Sequence, residues 1–597
     1  MKISNKLEML RKAMQSAGVQ ACIVPTTDPH ISEYTPARWE TRQWITGFTG
    51  SAGTAVITLD KAGLWTDSRY FLQAAQQLEG TGIQLFKAGL PDTPTYMQWL
   101  ESELPADSVI GIEGDVFAAN EVLAMQQQFS SNQLKLNTDF APWDELWSDR
   151  PTIPSDKIFT LPIELTGLTV IEKIKTVTDE IVQAGASGTV LASLDTIAWM
   201  FNLRGTDIPY NPVAVSYAYI SSAETVLFIN PEKVTEESLG FLSSQGVTLA
   251  DYNKIYSYID RLPKQTKLLV APSKINFKLY KAIEEHCTLV TTDIHPVDRL
   301  KSVKNPIEIA GMRNAMEKDG VALVRFLMWL EKAMDNRETV TELDIARKLV
   351  EYRSEQPLYF SESFGTIAGY NDHGAIVHYS ANEESNAVIK PGGLLLVDSG
   401  AQYFDGTTDI TRTIAVGPVS PEMKHDFTQV LKGNIALSSA RFPQGTVGMQ
   451  LDILARQFLW KSGENYLHGT GHGIGCFLNV HEGPQSIRMN YNPEPIRPGM
   501  ITSNEPGLYR AGQYGIRIEN LLLTIEDGAT DFGQFNAFET LTLCPIDTNL
   551  IDDSLMSPEE ITWLNNYHNM VHDLLSPMLN EEEREWLRKK CAYILEF

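Results

Sequence analysis

Apolar residues at helical spacing alternate with short apolar runs in the first part of the chain. Four of them recur every three or four positions near the N-terminus: Leu7, Leu10, Met14 and Ala17. They predict an amphipathic helix over residues 5–17 that ends at Gly18, and the apolar run Ala21–Val24 then predicts a strand. Alternating helix and strand signals are typical of an α/β domain.

The same order of signals returns further along. Apolar residues again recur at helical spacing: Ile171, Ile174, Val177 and Ile181. Gly185 ends this predicted helix, and a strand follows at residues 189–191. The segment Trp199-Met-Phe-Asn-Leu-Arg-Gly resembles Trp44-Ile-Thr-Gly-Phe-Thr-Gly. We interpret the two rounds as a loose duplication, although two independent α/β domains would give much the same pattern.

Prolines and a change of pattern predict the domain boundaries. Pro151 and Pro154 cannot continue regular strand pairing, so we predict domains over residues 1–154 and 155–303. A third domain, 304–597, begins where Asn305 can cap a helix. Strand signals follow from residue 394, and a helical tail begins near residue 557.

Composition narrows the classes of protein and partner. The formal net charge of −26 over 597 residues argues against nucleic acid and anionic membranes as partners, because both would repel the chain. The N-terminal residues lack the apolar core of a signal peptide, and no run approaches the ~20 apolar residues of a membrane span. Five scattered cysteines are typical of reduced thiols, so we expect a cytoplasmic protein.

Residues 468–481, His-Gly-Thr-Gly-His-Gly-Ile-Gly-Cys-Phe-Leu-Asn-Val-His, hold three of the eleven histidines. Gly471 and Gly473 flank His472, and so many glycines argue against a helix. We predict a strand or tight loop that orients His472 for metal binding or proton transfer, the usual roles of imidazole. A glycine-rich loop with incidental histidines is the alternative.

Four carboxylates stand at the ends of apolar, strand-like segments of the third domain. Asp398 ends one such segment, and Asp409 follows across a turn, so the two would face each other if their segments pair antiparallel. Glu505 and Glu519 occupy similar positions further along, with His472 between the two pairs in the sequence. Each acid alone is compatible with an ordinary strand end, but the set favours a shared site.

A shared site of four carboxylates requires positive charge. The acids would repel one another and their pKa values would rise, whereas two divalent cations supply +4 against −4. Oxygen-rich ligation with one imidazole suits Mn²⁺, Co²⁺ or Fe²⁺ better than a thiolate-type zinc site. We therefore predict two divalent ions per chain, with Mn²⁺ first and Zn²⁺ as a further alternative.

These residues and the motifs around them resemble the pita-bread metallopeptidases, a family that includes methionine aminopeptidase, prolidase, aminopeptidase P and the metal-free creatinases. The motifs that carry the resemblance are Ile376-Val-His-Tyr, Leu396-Val-Asp-Ser-Gly, Thr407-Thr-Asp-Ile-Thr-Arg-Thr, His468-Gly-Thr-Gly-His-Gly-Ile-Gly, Val480-His-Glu-Gly-Pro-Gln, Asn504-Glu-Pro-Gly-Leu-Tyr and Gly515-Ile-Arg-Ile-Glu-Asn. Over nearly its whole length the chain resembles the three-domain, cytosolic type of Xaa-Pro aminopeptidase. The resemblance implies an α/β (α+β) fold with two creatinase-N-like α/β domains before a pita-bread catalytic domain.

The resemblance also implies a set of metal ligands: Asp398, Asp409, His472, Glu505 and Glu519. Asp409 and Glu519 would bridge the two ions, Asp398 would complete one shell, and His472 with Glu505 would complete the other. A bridging hydroxide would attack the scissile carbonyl, with Glu505 as proton acceptor and donor.

The remaining roles implied by the resemblance concern substrate and support. His481 would hydrogen-bond the carbonyl oxygen, His378 would hold the substrate near the leaving proline, and His468 would line a subsite. Arg517 would steady a metal ligand, and Tyr509 would support the site.

The predicted function is therefore a dinuclear-metal aminopeptidase that releases the first residue from peptides with proline in second position, acting as a homodimer. Prolidase, which cleaves only Xaa-Pro dipeptides, is the nearest alternative. Methionine aminopeptidases are typically shorter and lack the two leading domains. A non-catalytic peptide-binding protein on the same fold is the alternative from another class, although the five ligand positions are all retained.

Overall fold

The structure, a computed structural model, describes residues 1–594 and forms two compact units. The first unit comprises residues 1–163 and 168–298, and the second comprises residues 164–167 and the chain from residue 299. The three-domain division at 154/155 and 303/304 stays a prediction.

The first half of the chain supplies two sets of helices and strands. The first set is α1 Ile3–Ser16, β1 Ala21–Val24, α2 Thr41–Thr46, β2 Thr54–Thr58, β3 Ala62–Thr66, α3 Phe71–Gln77, β4 Gln84–Lys87, α4 Tyr96–Glu103, β5 Val109–Gly111, α5 Ala119–Ser131, β6 Lys135–Asn137 and α6 Trp143–Leu146. The second set is β7 Phe159–Thr160, α7 Ile163–Thr166, α8 Val170–Gln183, β8 Gly188–Leu191, α9 Leu194–Met200, β9 Leu203–Arg204, β10 Ser216–Ser221, β11 Thr225–Ile229, α10 Glu236–Ser244, β12 Val247–Ala250, α11 Ile255–Ile259, β13 Lys267–Val270, α12 Phe277–His286, β14 Thr288–Thr291 and α13 Pro296–Ser302.

The two six-stranded sheets of the first unit share one topology. Their orders are β4-β3-β2-β1-β5-β6 and β12-β11-β10-β8-β13-β14. Strand β1 in the first sheet and strand β8 in the second each pair antiparallel with one neighbour and parallel with the other. The outermost pair at each end of both sheets is parallel. This shared order of strands favours the duplication that the sequence suggested.

The second unit carries the strands that hold the candidate site. Its helices and strands are α14 Pro306–Asp335, α15 Glu342–Ser354, β15 Tyr359–Glu362, β16 Ile367–Tyr370, β17 Leu394–Ser399, β18 Ala401–Tyr403, β19 Gly406–Thr407, β20 Ile410–Ala415, α16 Pro421–Ser438, β21 Arg441–Pro443, α17 Gly448–Lys461, β22 Gly471–Gly473, β23 Glu482–Ile487, β24 Ile501–Asn504, β25 Gly507–Arg510, β26 Tyr514–Arg517, β27 Asn520–Thr530, β28 Gly533–Thr540, α18 Pro558–Leu575 and α19 Glu581–Lys590.

Two strand pairings position the acidic residues. Strands β17 and β20 pair antiparallel, with Asp398 opposite Thr411, as the sequence suggested for the two aspartate segments. Strands β24 and β27 also pair antiparallel, and Asn504 lies opposite Asn520. Glu505 and Glu519 therefore lie next to each other at the end of this pair of strands. Both are one residue beyond the last pair.

Capped helices cover these sheets. The Asn305 side chain accepts hydrogen bonds from the first turn of α14, and Pro306 begins that helix, as predicted. The tail helix α18 is capped by Ser557 and begins with Pro558, and its buried Leu564 and Val571 belong to the same core as α14 and α16. The tail is thus part of the second unit's core.

Within residues 1–594, we find no helix that combines the length and the apolar character needed to cross a bilayer.

Candidate metal centre

Five side chains, each in or beside a different strand, converge in the second unit. Asp398 lies in β17, His472 lies in β22, and the other three predicted ligands lie directly beside strand ends: Asp409, Glu505 and Glu519. Ligand atoms fall into three groups whose members all lie within 4.8 Å of one another. The groups are Asp398 with Asp409 and Glu519, His472 with Glu505 and Glu519, and Asp409 with His472 and His481. The residues that the sequence places together are therefore neighbours in space.

Close backbone approach explains the glycines around His472. A Cβ on Gly471 would lie 1.9 Å from the carbonyl oxygen of Ser503, and a Cβ on Gly473 would lie 2.5 Å from that of Glu482. Only glycine fits between the neighbouring strands at both positions. The Gly-His-Gly sequence thus places His472 on a short strand inside the sheet, as predicted.

The imidazole of His472 has one nitrogen fixed and one directed into the site. Its Nδ1 lies 2.9 Å from the carbonyl oxygen of Gly473, to which it donates. Its Nε2 lies 3.5 Å from Oδ2 of Asp409 and 3.5 Å from Oε1 of Glu505. A hydrogen bond from the second ring nitrogen is the usual way in which proteins orient a metal-binding histidine.

Burial and mutual repulsion alter the acid strengths in this pocket. Burial raises the pKa of Glu505 to about 7, with a further increase from Asp409 and Asp398. Burial and the three neighbouring carboxylates raise the pKa of Glu519 well above its usual range. Without added positive charge, the pocket therefore holds protons at neutral pH.

For His472, burial and the neighbouring carboxylates change the pKa in opposite directions. Burial alone would lower its pKa, but the hydrogen bond to Asp409 and the charge of Glu505 raise it to about 9. A histidine that gains a proton so readily is surrounded by negative charge. The same field would attract a divalent cation.

The guanidinium of Arg517 contacts a carboxylate of the acid cluster directly. Its Nη2 donates to Oδ2 of Asp398 at 2.5 Å, and its Nη1 donates to the hydroxyl of Tyr509 at 2.8 Å. That hydroxyl lies 2.8 Å from Nε2 of His468. Arg517, Tyr509 and His468 thus form one chain of contacts that starts at a predicted metal ligand.

Two carboxylate oxygens test whether the pocket fits metal ions. Oδ1 of Asp398 and Oε1 of Glu519 are buried and have no hydrogen-bond partner among the described residues. Each is the second oxygen of a carboxylate whose first oxygen is bonded, to Arg517 and to Thr411 respectively. Buried carboxylate oxygens without partners are costly unless a cation meets them. The donor set therefore fits divalent ions that prefer oxygen ligands.

His481 and His378 occupy different places around this pocket. The ring of His481 lies against that of His472, edge to face, with centroids 4.4 Å apart. His378 follows Val377, whose carbonyl oxygen accepts a hydrogen bond from Nη2 of Arg517 at 3.3 Å. His481 thus lies among the candidate ligands, whereas the backbone of Val377, the neighbour of His378, contacts Arg517.

Sequence reasoning gave no role to Thr411 or Arg412, although both hold Glu519. The hydroxyl of Thr411 donates to Oε2 of Glu519 at 2.8 Å and accepts from Nε of Arg517 at 3.2 Å. Nη1 of buried Arg412 donates to the carbonyl oxygen of Glu519 at 2.7 Å. An arginine inside an apolar strand directly after Asp409 was the signal for such a role.

Metal binding should release protons, because the ligands must lose them first. In the metal-free protein at pH 7, a pKa of about 9 keeps a proton on His472 and a pKa of about 7 keeps one on part of the Glu505 population, while burial also raises the pKa of Glu519. We expect Mn²⁺ titration calorimetry at pH 7, in two buffers of different ionisation enthalpy, to show release of at least one proton per chain. We also expect affinity to rise with pH, and heats independent of the buffer would contradict this electrostatic description.

Comparisons with known proteins agree with this geometry. Residues 310–526 match the model of the metallopeptidase family M24, and residues 534–594 match its C-terminal region. Residues 6–140 and 149–308 each match a creatinase/prolidase N-terminal domain. These matches confirm the predicted fold class and define the chain as an M24 metallopeptidase.

Full-length relatives narrow the class further. A probable Xaa-Pro aminopeptidase P from Coprinopsis cinerea is 41% identical over 613 residues, covering 99% of this chain and 98% of the relative. The crystal structure of an X-prolyl aminopeptidase from Caenorhabditis elegans, described as a cytosolic enzyme with a di-nuclear active site, matches with a TM-score of 0.95, 36% identity and full coverage of both chains. A Bacillus anthracis Xaa-Pro dipeptidase matches with a TM-score of 0.52 and 25% identity, covering 64% of this chain and 99% of that one. The chain belongs to the Xaa-Pro aminopeptidase P family, which confirms the resemblance seen in the sequence.

Proposed function

We propose that this chain is an aminopeptidase that hydrolyses the bond between the first residue and a proline in second position, using two divalent metal ions. The observation that carries the proposal is the convergence of the five predicted ligands around two unpartnered carboxylate oxygens. The names of the full-length relatives supply the substrate class. We propose Mn²⁺ as the metal, with Co²⁺, Fe²⁺ and Zn²⁺ as alternatives.

The three groups of ligand atoms support a specific arrangement. Asp409, Glu519 and His472 each belong to two of the groups. A carboxylate offers two oxygens and suits a bridge between two ions, whereas His472 directs only Nε2 into the site because its Nδ1 donates to Gly473. Asp398 would bind one ion only, and His472 with Glu505 would bind the other. When bound, paired divalent ions lower the pKa of a shared water and stabilise the charge that develops during hydrolysis.

The surrounding residues would manage protons and hold the substrate. Glu505, whose Oε1 lies 3.5 Å from Nε2 of His472, is placed to accept the proton of the attacking water and to return it to the leaving proline nitrogen. His481, beside His472, would donate a hydrogen bond to the carbonyl oxygen as negative charge develops there. His378 would hold the peptide near the leaving proline, and His468 would line the subsite of the first residue or of the proline.

Arg517 and Tyr509 would fix this arrangement without taking part in the chemistry. Arg517 bonds both Asp398 and Tyr509, and Tyr509 in turn contacts His468. A displacement of Asp398 would therefore also displace His468, which lines the proposed subsite. Such partners commonly orient metal ligands and set their basicity.

We also propose that the enzyme is cytoplasmic and homodimeric. All five cysteines are free within the described part of the chain, which suits a reducing compartment. The Caenorhabditis elegans relative is described as cytosolic. Light scattering coupled to gel filtration should give twice the chain mass, and a monomer at micromolar concentration would refute the dimer.

A series of peptide lengths tests the proposed activity. We expect the Mn²⁺-loaded protein to release the first residue from Xaa-Pro-Xaa and longer peptides, and to leave the matched Xaa-Ala-Xaa peptides almost uncut. Cleavage is measured by chromatography of the released amino acid.

The same series separates the alternatives. Turnover of Xaa-Pro dipeptides alone would make the protein a prolidase. No turnover of any peptide, with no thermal stabilisation by Mn²⁺, would favour a non-catalytic peptide-binding protein.

A further inference from the structure

Glu342, the first residue of α15, is a fully buried carboxylate outside the metal cluster. Its Oε1 accepts hydrogen bonds from the backbone N–H of Tyr370 and from Nδ1 of His373, both at 2.8 Å. Its Oε2 accepts from the hydroxyl of Tyr379 and from the backbone N–H of Ala387, both at 2.9 Å. Both oxygens of this buried group are therefore satisfied.

All four partners belong to one segment, residues 370–387, which contains His378. The rings of His373 and Tyr379 stack with centroids 4.5 Å apart. The hydrogen bond to Glu342 raises the pKa of His373, which favours a charged pair between them. One carboxylate thus ties the beginning, middle and end of this segment to the start of a helix.

The segment is also fixed from the side of the metal site. The carbonyl oxygen of Val377 accepts a hydrogen bond from Arg517 at 3.3 Å. A Cβ on Gly515 would lie 1.7 Å from the carbonyl oxygen of Gly374, so β26 packs directly against the segment's backbone. His378 therefore lies between two anchored neighbours, Val377 on Arg517 and Tyr379 on Glu342.

We propose that Glu342 and Tyr379 are positioning residues that hold His378 in place for the substrate. The inference rests on the substrate-contacting role proposed for His378. Neither residue belongs to the described groups of candidate ligands, so both act through the backbone on either side of His378. A side chain fixed before the substrate arrives loses less entropy on binding and keeps its catalytic geometry.

A double-mutant cycle tests the proposal. Tyr379→Phe keeps the ring and removes only the hydroxyl, which contacts Glu342 and also Ser385 of the same segment. We expect it to lower kcat/KM by about tenfold while metal content is unchanged. In the His378→Ala background the same change should lower kcat/KM by less than about twofold, because the residue being positioned is gone.

Tyr370→Phe is the matched control. Its hydroxyl donates to the carbonyl oxygens of Lys390 and Gly392, at 2.9 and 2.8 Å, which lie beyond the end of the segment at residue 387. We expect this variant to keep kcat/KM within about twofold of the wild type. An equal loss in Tyr370→Phe and Tyr379→Phe would show a general effect on the segment and would overturn the proposal.

The remaining outcomes are also decisive. Tyr379→Phe with wild-type kcat/KM, or with the same loss in both backgrounds, overturns the positioning role. Wild-type kinetics in His378→Ala overturn it too, but leave the proposed aminopeptidase activity standing. If the wild-type protein hydrolyses no peptide, the proposed function fails instead.

Amide exchange tests the structural half of the proposal without any activity measurement. Glu342→Gln replaces one carboxylate oxygen by an NH2 group, which in either orientation faces a backbone N–H donor, that of Tyr370 or that of Ala387. We expect faster hydrogen exchange across residues 371–387 with little change in the strands of the metal site. Unchanged exchange in this segment would refute the anchoring by Glu342.

Discussion

Asp409→Asn is expected to lower kcat/KM by about 10³-fold or more and to reduce the metal content of the purified protein. Asp409 belongs to two of the three groups of candidate ligand atoms, so its loss would disturb both ions. Asparagine keeps the shape but offers one neutral oxygen, and several kcal/mol of transition-state stabilisation corresponds to about three powers of ten. Activity on an Xaa-Pro-Xaa peptide and elemental analysis measure the two effects.

Asp527→Asn is the control for this substitution. Asp527 also lies in the second unit, and there it pairs with Arg441 at an exposed position, so the same aspartate-to-asparagine change can be made away from the site. We expect wild-type turnover and metal content there, since exposed ion pairs contribute little. Wild-type activity in Asp409→Asn itself would remove the proposed site.

His481→Ala is expected to lower kcat by about 10²–10³-fold while metal content stays normal. That range is typical when one hydrogen-bond donor to a developing oxyanion is removed. The structure makes this variant informative, because the ring of His481 lies close enough to Asp409 and His472 to be a metal ligand. Elemental analysis beside kinetics distinguishes the two roles.

Loss of metal from His481→Ala would assign His481 to the ligands instead of the substrate. His572→Ala, on the exposed side of α18, controls for the removal of an imidazole and should behave as wild type.

The sequence predicted the parts of the site that depend on local pattern. An apolar strand with an acid near its end, as at Asp398, places that acid where the strand ends whatever the rest of the chain does. The glycines beside His472 similarly require close backbone approach, and the structure shows which atoms approach. Helix caps such as Asn305 are local as well, and were predicted correctly.

Residues that act across long sequence distances were not predictable in the same way. Thr411 lies 108 positions from Glu519, and Glu342 lies 37 positions from Tyr379. No spacing rule relates such pairs, because their contacts depend on how separate sheets and helices pack. Arg412 was visible as a charge in a buried strand, but its partner, the backbone of Glu519, could be known only from the fold.

The electrostatic account explains why so many acids are buried in one place. Desolvation and repulsion act against Asp398, Glu505 and Glu519 together, and Arg517 offsets only part of the negative charge. Groups that are strained in this way are typical of functional sites. The strain is relieved if cations occupy the pocket, and this is the claim on which the proposed function depends.

Anomalous diffraction from crystals grown with Mn²⁺ tests that claim most directly. We expect two peaks per chain, both among Asp398, Asp409, His472, Glu505 and Glu519. A pocket without anomalous density, or peaks bound only at other acids of the chain, would contradict it.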